Sequence, residues 1–88
     1  MGYDGPVRVS DEVGIMLSTG EAVLEDGTDT GSWRGTLRTL AGDAIAGKAL
    51  VVELATIDGR TGRAQLIPRG VDGDRAVSDV IGLGSPPF

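Results

Sequence analysis

Fifteen Gly and four Pro punctuate this 88-residue chain at turn-like intervals. Between them lie short segments in which apolar and polar residues alternate, the period of a strand rather than of a helix. Val7 and Val9 alternate with Arg8 and Ser10 after a turn at Gly5-Pro6. Ile15 and Leu17 share one face, and Ala22 and Leu24 another, which predicts a hairpin turning at Thr19-Gly20. Trp33, Gly35, Leu37 and Thr39 alternate with Arg34, Thr36 and Arg38, so the indole and Leu37 fall on one face and two guanidiniums on the other. The Ala- and Gly-rich run from Leu40 to Lys48 predicts one helical turn at Ala41, Ala44 and Ile45 with Asp43 as cap, or an irregular crossover. Ala49 to Ile57 is the most apolar stretch and the expected central strand. A strand from Arg63 to Ile67 is expected to stop at Pro68, Gly70 to Asp74 to turn, and Ala76 to Leu83 to form the last strand.

These segments predict an all-β fold, a small antiparallel β-barrel or compact sandwich of about six or seven strands. It makes one domain over residues 1–88, with Trp33, Leu37, Val52, Leu54, Leu66 and Val80 in the core. Two of the three aromatic residues, Tyr3 and Phe88, sit inside turn-forming segments at the two ends, so both ends are expected to pin to one body. A domain of this length buries only roughly 60–65% of the surface of its unfolded chain. Together with a strand that is apolar on both faces from Val51 to Ile57, that predicts a homodimer.

The absence of both His and Cys removes disulfides, thiol nucleophiles, the usual general base and ordinary zinc sites. This argues against an enzyme and for the cytoplasm as the compartment. A net charge of −5 argues against nucleic acid and anionic membrane as partners, since both require a basic stripe. No apolar run approaches the ~20 residues of a membrane span, and no signal-peptide pattern opens the chain. Seven Arg against one Lys, with abundant Gly, Ala, Asp and Val, fit a high-GC bacterial genome.

The loops at Asp26 to Gly31 and Asp72 to Asp74 lack the spacing and closing Glu of a calcium loop and read as turns, so no metal and no cofactor is expected. Lys48, the sole lysine, lacks the flanking pattern of a carrier domain. Glu53, an acid inside an apolar strand, must face solvent or find a cation, and Arg34, Arg38 and Arg63 are available. Trp33 is either the core anchor or a ligand platform. Trp33, Arg34, Arg38, Glu53 and Arg63 are therefore the candidate residues for ligand or partner binding, with no catalytic residue among them. Pro86-Pro87-Phe88 reads as a plug for an open barrel end, against the alternative of a polyproline recognition tail.

Gly2-Tyr3-x-Gly5-Pro6, Trp33-x-Gly35, Gly62-x-Ala64 and Gly82-x-Gly84-x-Pro86-Pro87-Phe88 together resemble a small actinobacterial domain family of unknown function. That family is found alone or at the C-terminal end of flavin-containing monooxygenases. Where its members carry Arg after Trp-x-Gly, this chain has Thr36, bracketed by Arg34 and Arg38. The resemblance implies a non-enzymatic accessory module beside a flavin-dependent oxygenase, the cofactor belonging to that partner. The alternative is a barrel that encloses an apolar small molecule, as carrier or by catalysis through confinement, with Ala22, Gly35, Ala55, Ala64 and Gly82 leaving the gap.

Overall fold

The alternation closes on itself. A computed structural model describes residues 2–26, 33–40 and 50–88 of the chain. Its six strands are β1 (Gly2–Ser10), β2 (Met16–Asp26), β3 (Trp33–Leu40), β4 (Leu50–Thr56), β5 (Thr61–Asp72) and β6 (Arg75–Leu83). They form one closed antiparallel barrel in the order β1-β2-β3-β6-β5-β4. Two three-stranded meanders, β1-β2-β3 and β4-β5-β6, are thus joined along two seams, β3–β6 and β1–β4. The expected helical turn at residues 41–49, Lys48 and the loop at residues 27–32 lie outside the described residues.

The buried stretches of the strands alternate with a period of two. Val7 and Val9, Ala22 and Leu24, Trp33 and Leu37, Val52 and Leu54, Ala64 and Leu66, and Val80 all face inward and are buried. All six expected core residues are in this set. Six strands leave an interior that side chains can fill, and the burial of these residues to 3% exposure or less shows that they do.

One end of the barrel is organised around Trp33. Its indole lies over Gly62 and Gly82, where a Cβ would come within 2.9 Å of the ring at Gly62 and 2.4 Å at Gly82. Trp33 Nε1 donates to the Gly84 carbonyl at 3.2 Å, and the Phe88 ring meets the indole edge-on at 6.3 Å and 88°. Pro87 is fully buried beside them. The last residues therefore plug the barrel end, as expected of Pro86-Pro87-Phe88. Tyr3 packs against the same core, so both ends of the chain are pinned.

Three expected breaks are continuous strand, and a fourth is shortened. Gly5-Pro6 lies within β1, Thr19-Gly20 within β2, and β5 runs through Pro68 to Asp72, so the turn before β6 is confined to Gly73-Asp74. Gly20 is a close approach rather than a turn, because a Cβ there would stand 2.4 Å from the Arg38 carbonyl oxygen of the neighbouring strand. Pro68 is tolerated because the β5–β6 register slips between Pro68 and Gly70, a bulge that leaves Arg69 out of the ladder. Pro6 is tolerated because β1 pairs with β4 only from Val7 to Ser10, so the missing N–H falls where the strands part. The first hairpin instead turns at Asp11 to Ile15. There the Asp11 carboxylate accepts from the N–H groups of Val13 (3.0 Å) and Ile15 (2.9 Å), and Gly14 takes a φ of 91°.

Candidate interaction surface

The inward anchoring of Trp33 and Leu37 fixes which way the rest of β3 faces: Arg34, Thr36 and Arg38 stand on the outside in a row. The β2–β3 register places Glu25 opposite Arg34, Val23 opposite Thr36 and Glu21 opposite Arg38. On the other flank, β6 sets Ile81, Asp79 and Val77 against the same three residues. Glu25, Arg34, Thr36, Asp79 and Ile81 line a shallow depression of about 340 Å³ along β3. Among the described residues, neither guanidinium has a carboxylate within 4.0 Å.

Five arginines, Arg34, Arg38, Arg63, Arg69 and Arg75, lie on the adjacent strands β3, β6 and β5, interspersed there with Asp72 and Asp79 and flanked on β2 by Glu21 and Glu25. Two of the five arginines are engaged: Arg69 with Asp79 at 3.3 Å, and Arg63 with Glu12 at 2.8 Å. Exposed Ile67, Ile81 and Leu83 stand among them. This surface can hold a protein by charge and apolar contact. The described residues include no exposed aromatic ring on which a base would stack and no cluster of metal-binding side chains.

The five sequence candidates do not converge. Arg34 and Arg38 share the β3 row. Glu53 and Arg63 are opposite each other across β4–β5, as an ion pair requires, but the Arg63 guanidinium reaches past β4 to Glu12 on the first hairpin turn. Glu53 is exposed and has no ion pair among the described residues. Trp33, at 1% exposure, is the core anchor and offers no face to a ligand outside. Of the residues named as leaving an internal gap, Ala22, Gly35, Ala64 and Gly82 face inward, and the indole occupies the space at Gly82. Ala55 faces outward and lies in a groove of about 530 Å³ with Pro6, Arg8, Thr19 and Ile57, open to solvent where β1 and β4 part. Arg8 is the one ionisable group in that groove.

Three features were not anticipated. Glu21 and Glu25 belong to the same patch as the arginines; the spacing Glu-x-x-x-Glu on one strand and Arg-x-x-x-Arg on the next carries the signal. Tyr3 holds the splayed seam, its hydroxyl donating to the Pro6 carbonyl and accepting from the Ile57 N–H at 3.5 Å. The β4–β5 turn is locked by the Thr56 hydroxyl, which donates to the Asp58 carboxylate, and by Arg60 at 3.4 Å from the same carboxylate. The hydrogen bond from Thr56, aided by Arg60, holds the Asp58 carboxyl below its ordinary value of 3.8. No helix among the described residues is long and apolar enough to cross a membrane. No family model, curated protein or solved structure matches the chain significantly.

Proposed function

We propose that this protein is a non-enzymatic binding module that docks, in the cytoplasm, on a protein partner through the outer face of β3, the partner being a flavin-dependent oxygenase. The observation that carries the reading is the pair Arg34 and Arg38, exposed on one row, four residues apart and without a carboxylate within 4.0 Å among the described residues. Two such guanidiniums present ten N–H donors in planar forks to a partner's carboxylates. Flavin chemistry belongs to the partner, and the choice of an oxygenase rests on the family resemblance of the Gly, Pro and aromatic positions. The test is a pull-down with a flavin-dependent oxygenase from the same organism, starting with any encoded beside it. Arg34→Ala with Arg38→Ala is expected to weaken capture at least about tenfold, the scale of one or two lost charge-assisted contacts. Unchanged capture by the double variant overturns this face as the oxygenase's docking site.

A further inference from the structure

The β2–β3 face is built to meet itself. Its outward residues form three rows: Glu21 with Arg38, Val23 with Thr36, and Glu25 with Arg34. Each row sets an acid against a base or, in the middle, an apolar group against a small one. Opposite charges directly across two strands ordinarily pair, yet none of these four has an ion-pair partner within 4.0 Å among the described residues.

Resting on the reading of β3 as a docking surface, we infer that its occupant includes a second copy of this chain, bound face to face about a two-fold axis parallel to β2 and β3. Such an axis exchanges β2 for β3 between the copies and leaves height along the strands unchanged. Glu21 then faces Arg38 of the second copy, Glu25 faces Arg34, and Val23, which is 55% exposed, faces Thr36. Because the contact is isologous, each pairing occurs twice. The other two-fold in the contact plane, perpendicular to the strands, sets Glu21 on Glu25 and Arg34 on Arg38, so charge selects one orientation.

A partner of one sign is disfavoured on this face. A purely acidic protein surface, or a nucleic acid, that satisfies Arg34 and Arg38 comes to lie against Glu21 and Glu25 as well. The outside of a barrel is convex, which confines the contact to these rows and makes the dimer weak and salt-labile. The second copy and an oxygenase compete for the same arginines.

Sedimentation equilibrium of the whole chain tests this. A monomer–dimer equilibrium is expected at about 50 mM salt, shifting about tenfold toward monomer near 500 mM as the ion pairs are screened. Glu21→Arg with Glu25→Arg makes the face wholly basic, and Arg34→Glu with Arg38→Glu makes it wholly acidic. Each variant alone is expected to be monomeric, and a one-to-one mixture to form a heterodimer. All four are surface positions, and far-UV circular dichroism, expected to match the wild type, checks that both variants fold. A wild-type monomer throughout, or variants that each self-associate like the wild type, overturns the inference. The oxygenase pull-down separates it from the reading beneath it. Arg-dependent capture by a strictly monomeric protein leaves the docking reading standing and removes the second copy. A dimer broken and rebuilt by the charge swap, with capture indifferent to the arginines, supports the second copy and removes the oxygenase from this face.

Discussion

At the scale of single residues, the tightest constraint is the glycine under the indole. A methyl at Gly82 would lie 2.4 Å from three atoms of the Trp33 ring, which is itself buried and cannot swing away. Gly82→Ala is therefore expected to cost about 1–3 kcal/mol, as overpacked cores do. Each kcal/mol appears as a drop of roughly 4–8 °C in the melting temperature of a domain this size. Tyr3→Phe keeps the ring and removes the hydroxyl that joins Pro6 to Ile57. A loss of about 1 kcal/mol in denaturant unfolding is expected, and no loss would show that the splayed seam holds without it. Asp58 gives a pH signature. Its folded-state pKa is depressed, so its contribution is present above the unfolded value, near 3.8, and fades as pH falls through the lower folded value. The difference in melting temperature between the wild type and Asp58→Asn should accordingly be constant near neutrality and shrink only in strong acid.

At the scale of elements, alternation decided what could be read in advance. The inward residues of β3, β4 and β6 follow a period of two set by Trp33, Leu37, Val52, Leu54 and Val80, and so their faces were legible. The breaks at Gly5-Pro6, Thr19-Gly20 and Pro68 were misread because Gly and Pro also serve strands: as close approaches, at edges and in bulges. Nothing in β5 alone tells that the ladder will skip Arg69, since that depends on which residues of β6 lie opposite. The candidate site was half legible for the same reason. Arg34 and Arg38 were visible as one face of one strand, but Glu21 and Glu25 join them only through a pairing register that one strand does not encode, and Arg63 turned to Glu12 rather than Glu53 because a rigid turn brings Glu12 over β4. The plug is testable as an element. Phe88→Ala removes the edge-on ring from Trp33, with an expected loss of about 2 kcal/mol and a red shift of tryptophan emission as water reaches the indole.

At the scale of the whole molecule, closure is non-local: β1 finds β4 and β3 finds β6 across up to about half of the chain. Domains built from such pairings fold in milliseconds to seconds, and stopped-flow refolding followed by Trp33 emission should fall in that range. The two seams that close the barrel are unequal. Seven residue pairs join β3 to β6, whereas only four, from Val7–Thr56 to Ser10–Glu53, join β1 to β4. The short seam is the line along which the native state opens first. Amide hydrogen exchange should therefore show Arg8 and Ala55 losing protection well ahead of Thr36 and Val80. Once parted there, the cylinder becomes an open ribbon with β1 and β4 as bare margins, and the same four pairings that complete one molecule become the template on which two molecules can exchange strands.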